Sequence, residues 1–72
     1  MRVIVNDKGV KHCFRVTKVS VHSNLTFCEI ERSPALFPIL MHLVKNNIIH
    51  SFEPKNDVTS ITFRTQYVEE II

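Results

Sequence analysis

Apolar positions recur at strand-like spacing in five short stretches of this chain and at helical spacing in one. Met1 to Val5 is apolar and β-branched, as strands favour. Asn6-Asp7-Lys8-Gly9 follows as a four-residue turn and holds the only glycine, which supplies the positive φ that hairpin turns need. The chain resumes at Val10, so the pattern predicts a hairpin pairing Val5 with Val10 and Val3 with His12.

Val10 to His22 reads as one long strand with an irregularity. Apolar residues fall at Val10, Phe14 and Val16, then at Val19 and Val21. The parity changes between Val16 and Val19, and one face cannot stay inward across that change without an extra residue. The spacing therefore predicts a β-bulge at Thr17-Lys18, or else a break there that leaves six short strands. Ser23-Asn24 turns the chain and Leu25 to Glu31 returns. This sets Val21 opposite Thr26, Val19 opposite Cys28 and Lys18 opposite Glu29, an opposite-charge pair that supports the register. The core face carries Val3, Val5, Val10, His12, Phe14, Val16, Val19, Val21, Cys28 and Ile30. The other face carries Arg2, Ile4, Lys11, Cys13, Arg15, Lys18, Ser20, His22, Leu25, Phe27, Glu29 and Glu31.

The helix follows. Ser33 suits an N-cap and Pro34 a first helical position, but Pro38 cannot sit inside a helix without losing a donor and clashing with residue 34. The sequence predicts a loose turn first and then a helix from about Pro38 to Asn46. Leu36, Leu40, Leu43 and Asn47 form one stripe and Phe37, Met41 and Val44 the next, with His42, Lys45 and Asn46 toward solvent. Asn46-Asn47 ends it, because asparagine tolerates the left-handed conformation of a helix stop.

Ile48 to Glu53 and Val58 to Thr65 form a second hairpin around Pro54-Lys55-Asn56-Asp57. Pairing Glu53 with Val58 puts Phe52 opposite Thr59, His50 opposite Ile61 and Ile48 opposite Phe63 on the core face, with Ile49, Ser51, Val58, Ser60, Thr62 and Arg64 outward. Gln66 to Ile72 reads as a short helix or strand. As a helix it puts Tyr67 with Ile71 and Val68 with Ile72, an apolar tail that needs a surface to cover it.

The expected fold is α+β: an antiparallel sheet of about five strands in β-β-β-α-β-β order with one main helix on one face. Its 72 residues make a single domain. A chain of this size buries only about 60% of its unfolded surface, which makes self-association plausible. Beyond the residues already placed in the core, Leu36, Leu40, Leu43, Val44, Ile48, Phe52, Ile61 and Phe63 are expected there. Hydrophobic residues are 44% and charged residues 22%, which suits a folded domain rather than disorder. No apolar run approaches the ~18 residues that cross a bilayer. The first residues lack the apolar core and small-residue cleavage site of a signal peptide. A cytoplasmic location with Cys13 and Cys28 both reduced is the expectation.

Charge and chemistry narrow the function only partly. The net charge of +2 permits nucleic-acid binding without arguing for it. The single glycine excludes phosphate-binding glycine loops. His12, Cys13, His22, Cys28, His42 and His50 show none of the paired short spacings of a zinc site. Cys13 and Cys28 fall on opposite faces, so no disulfide joins them. Asp7, Glu29, Glu31, Glu53, Asp57, Glu69 and Glu70 sit mainly at turns and ends, where solvation explains them, and no nucleophile has a base at a matching position. The expectation is no enzyme, no cofactor and no metal.

What stands out is the surface. Arg2, Lys11, Arg15, Lys18 and His22, with Leu25 and Phe27 among them, form a basic outer face, and Tyr67, Val68, Ile71 and Ile72 form an apolar tail. These residues point to a small non-enzymatic protein-binding module, an inhibitor or regulator of a larger partner and a homo-oligomer, of the kind bacteriophages and mobile elements encode. A nucleic-acid-binding regulator using the basic face is the alternative, and a ligand-sequestering oligomer is a third reading.

Overall fold

Residues 1–72 are described by a computed structural model. Seven strands and one helix follow the order β1 (Arg2–Asp7), β2 (Val10–Arg15), β3 (Lys18–Val21), β4 (Leu25–Glu31), α1 (Phe37–Lys45), β5 (Ile49–Pro54), β6 (Val58–Arg64) and β7 (Val68–Ile71). All pairings are antiparallel and form two sheets, β2-β1-β7 and β3-β4-β6-β5. The α+β class holds. One sheet of about five strands does not, because the chain changes sheet at Val16–Thr17 and because the tail is itself a strand.

The change of sheet explains the parity switch. Val16 N–H donates to Met1 C=O at 2.9 Å, toward β1, and Thr17 N–H donates to Glu29 C=O at 2.8 Å, toward β4. Thr17 Oγ1 donates to the same Glu29 carbonyl, and Lys18 is also opposite Glu29. Two residues thus address one, as in a bulge. Here that irregularity lets one run of residues serve two sheets.

The first hairpin is tighter than the four-residue turn expected. Asp7 pairs with Val10, Val5 with His12 and Val3 with Phe14. Only Lys8 and Gly9 lie between the strands, with φ of 53° and 93°. Two successive positive φ values match the right-handed twist of a two-residue hairpin. Gly9 N–H donates to Asn6 Oδ1 at 2.6 Å. A shift of two preserves the faces, so Val3, Val5 and Phe14 are buried as expected. Val10 lies past the end of the core and is 58% exposed.

In the second sheet β3 and β4 pair in the expected register. Val21, however, extends beyond the strands that cover this face and is 56% exposed. Phe52 lies opposite Ile61 and Pro54 opposite Thr59, again a shift of two from the expected hairpin. The register slips between Ile49 and Ser51. That slip turns Ile49 into the core and leaves His50 exposed, the reverse of the expected pair.

Pro34–Leu36 form a 3-10 turn and α1 starts at Phe37, which puts Pro38 in the first turn where no donor is missed. Leu40 and Leu43 are fully buried, and Leu36, Phe37 and Val44 pack at the edge of the core. Met41 is exposed, because α1 packs mainly on β5 and its buried stripe is narrower than expected. Asn47, with φ of 62°, ends the helix. The inner faces of the two sheets meet around Phe14 and Phe63, whose ring centroids are 5.6 Å apart. No helix is long and apolar enough to cross a membrane.

Of the two readings of the tail, the strand holds, as β7. It lies antiparallel beside β1, with Val3 opposite Ile71 and Val5 opposite Val68. Arg2 and Ile72 exchange N–H···O=C bonds of 2.8 and 2.9 Å. Tyr67 and Val68 pack against the core, Ile71 and Ile72 remain exposed, and Tyr67 and Ile71 share no helical face because the tail is a strand.

Candidate functional site

The four-stranded sheet sets two rows of side chains across its outer face. One runs Ser20, Phe27, Thr62, Ser51, and the next Lys18, Glu29, Ser60, Glu53. The large residue of the first row, Phe27, sits between Ser20 and Thr62, which are too short to cover it, and it is 44% exposed. It lines an open groove of about 540 Å³ together with Lys18, Ser20, Glu29, Ser60 and Thr62. That size is within the range of pockets that accept a side chain or small molecule.

His22 packs beside the Phe27 ring. Its imidazole meets the ring edge-on, with centroids 5.3 Å apart and planes at 78°, and its Nε2 lies 3.1 Å from Ser20 Oγ. The face thus presents an aromatic ring, hydroxyls on either side and an ammonium and a carboxylate at one end.

The sequence-derived candidates do not share one surface. Lys18, His22, Leu25 and Phe27 lie on the four-stranded sheet, while Arg2, Lys11 and Arg15 lie on the three-stranded one. There Arg2 is opposite Arg15, and Lys11 Nζ pairs with Glu69 Oε2 at 3.3 Å. The change of sheet at Val16–Thr17 divides the basic face that a single long strand would have made. Of the tail residues, Tyr67 and Val68 serve the core, and Ile71 and Ile72 remain exposed. Ser60 and Thr62 belong to the groove and were legible only as outward positions of β6. Placing them beside Phe27 requires the β4–β6 pairing, which no local signal carries.

A second polar cluster lies at the far end of the three-stranded sheet. Asp7 is buried, contrary to the expectation that solvation explains it. Asn46 Nδ2 donates to both of its carboxylate oxygens at 3.1 Å, and His42 Nε2 lies 3.1 Å from Oδ2. His42 and Lys45 are exposed as expected and Asn46 is half-buried, and His42 and Asn46 together tie α1 to the first hairpin.

The thiols differ sharply. Cys13 is exposed, and Cys28 is buried and free. Burial pushes the Cys28 thiol from 9.0 up to about 11, because a thiolate is poorly solvated in an apolar core. At pH 8 a thiol reagent is expected to label one residue, Cys13, in the native protein and both in denaturant. Rapid labelling of two native thiols would contradict the packing. The raised value also sets a pH window. Stability from the neutral Cys28 thiol is present below pH 9 and is lost as pH rises toward 11.

Comparison with family models, with curated proteins and with solved structures finds no match.

Proposed function

We propose that this chain is a small non-enzymatic protein-binding module, an inhibitor or regulator that occupies a surface on a larger partner and works as a homo-oligomer. The observation that supports the reading is Phe27, in edge contact with His22 and lining an open groove whose short neighbours leave it uncovered. A rigid aromatic anchor among small polar residues is the usual centre of a protein-recognition surface. The groove extends this reading to residues outside the basic face, Ser60 and Thr62.

The nucleic-acid reading has less support, because its cations are shared between two sheets and one of them, Lys11, is engaged by Glu69. A backbone-tracking surface needs them in one line.

The test is a comparative capture from the native host with wild type, Phe27→Ser and Thr62→Lys, followed by calorimetry on the purified partner. Phe27→Ser removes a half-exposed side chain from the middle of β4, so folding stability should fall by about 1 kcal/mol and the variant should stay folded. Loss of an anchor should weaken binding by roughly 30-fold or more, equivalent to about 2 kcal/mol. A partner bound equally well by all three proteins would remove the groove from the reading.

A further inference from the structure

A sheet edge recruits another strand where its backbone N–H and C=O groups point outward and no charge or cover blocks approach. The edges here are β2 and β7 of one sheet and β3 and β5 of the other. The tight turn makes Asp7 and Val10 a bonded pair, so by alternation Lys11, Cys13 and Arg15 turn their backbone groups to the free side of β2. A second copy pairing there about Cys13 sets Lys11 against Arg15, cation on cation. Strand β7 presents Glu69 and Glu70 to its own image. Strand β5 ends on Pro54 and packs against α1.

Strand β3 is different. His22 N–H donates to Leu25 C=O at 2.9 Å. By alternation Lys18 and Ser20 also address β4, and Val19 and Val21 turn their N–H and C=O groups outward. None of these four groups takes part in the turn, loop or cap bonds of the fold.

We propose that β3 pairs antiparallel with β3 of a second copy of this chain, about a two-fold axis at Ser20. The proposal rests on the oligomer in the reading above and names its interface. Opposite residues must share a face, which allows only registers centred on a residue. Centring on Ser20 sets Val19 against the partner's Val21 and Val21 against the partner's Val19, and makes four N–H···O=C bonds. Centring on Val19 or Val21 uses Thr17 or Ser23 instead and loses two bonds within the strand. In the Ser20 register the exposed Val21 gains an apolar neighbour. On the outer face Ser20 meets its own image and Lys18 is opposite the partner's His22, so the lysines are never opposed. The charge pattern thus selects a second copy at β3 and repels one at β2 and β7. Lys18, Val19 and Ser20 also line the Phe27 groove, so pairing would place two grooves on one continuous outer face.

Two four-residue strands make a small interface, below the roughly 1,200 Å² of stable complexes. The dimer is expected to be reversible and visible by sedimentation between about 10 µM and 1 mM. Val21→Pro removes a donor aimed at the seam without touching a bond to β4, and Val21→Lys puts a charge against the partner's Val19. Both should sediment as monomer across that range with the melting temperature of wild type. Cys13→Pro, which blocks the β2 edge, should remain a dimer. In a Cys13→Ser background, Ser20→Cys should cross-link on mild oxidation, because a non-hydrogen-bonded pair on the axis brings two Cα atoms to about 4.5 Å. A monomer at every concentration, a dimer that persists in both Val21 variants, or a dimer that Ser20→Cys does not cross-link would each overturn the proposal. Phe27→Ser separates the two readings. Partner capture lost while the dimer persists indicts the groove alone, and a lost dimer with capture intact in Val21→Lys indicts the edge alone.

Discussion

Truncation after Tyr67 is expected to abolish cooperative folding rather than release a monomer. Strand β7 covers one side of β1, whose Val3 and Val5 are completely buried. Removing it strips the N–H and C=O groups of Arg2 of their partners at Ile72 and uncovers the core beside Val68. Several lost backbone bonds at about 1 kcal/mol each, with the lost apolar cover, approach the whole stability of a chain this small, which at ~0.1 kcal/mol per residue is roughly 7 kcal/mol. The check is a urea titration followed by far-ultraviolet circular dichroism. A truncated chain that unfolds with the wild-type slope and midpoint would show that β7 is dispensable. A milder probe of the same strand is pH. The hydrogen bond from Asn6, then that from Lys11, holds the Glu69 carboxyl below its ordinary 4.5. A depressed carboxylate stabilises the fold above its unfolded value, and that contribution is lost as pH falls through the folded one. Because Glu69 is exposed to solvent the effect is small, and it should disappear in Glu69→Gln.

Asp7→Ala is expected to cost about 2 to 3 kcal/mol, more than any exposed substitution. The carboxylate is buried and accepts both Asn46 contacts, and hydrogen bonds to a charged group contribute about 1.5 to 3 kcal/mol. Without it Asn46 Nδ2 loses its two acceptors and α1 loses its tie to the hairpin. Asp7→Asn should fall between the two, since one oxygen remains to accept. Asn46→Ala leaves the carboxylate with His42 alone, and a double-mutant cycle with Asp7→Ala should show a coupling of about 1 kcal/mol or more. Additive losses in thermal or urea denaturation would mean that the cluster is not a unit.

What the sequence showed of the fold follows from the range of each interaction. The β3–β4 hairpin was legible to the residue, because its turn is short and Lys18–Glu29 marks its register. The lead-in at Pro34–Leu36, the helix after it and its stop at Asn47 were legible from proline and asparagine, which act through their own backbone. The hairpin registers at Lys8-Gly9 and Lys55–Asp57 were displaced by two, and a displacement of two leaves every face unchanged. The core was therefore largely right while the turns were wrong. The slip at His50 is different. It exchanges Ile49 and His50 between core and surface, and strict alternation gives no local sign that Ile48 and Ile49 are both buried.

The site was less legible, for a related reason. Phe27 and Lys18 were visible as outward residues of neighbouring strands. Their separation from Arg2, Lys11 and Arg15 depends on the change of sheet at Val16–Thr17, where the parity switch permits either a bulge or a departure. Asp7 looked like a turn residue, since nothing nearby in sequence reveals that Asn46 will reach it.

The Arg2–Ile72 bonds also bear on when the molecule can become native. The hairpin of β1 and β2 closes over two residues and can form early. The central strand of its sheet then waits for a segment some seventy positions away, and closing so long a loop is entropically costly and slow. A nascent chain still held at the ribosome cannot complete this sheet until Ile72 has emerged. Until then β1 is a half-paired strand with Val3 and Val5 uncovered, and in that interval folding and aggregation compete.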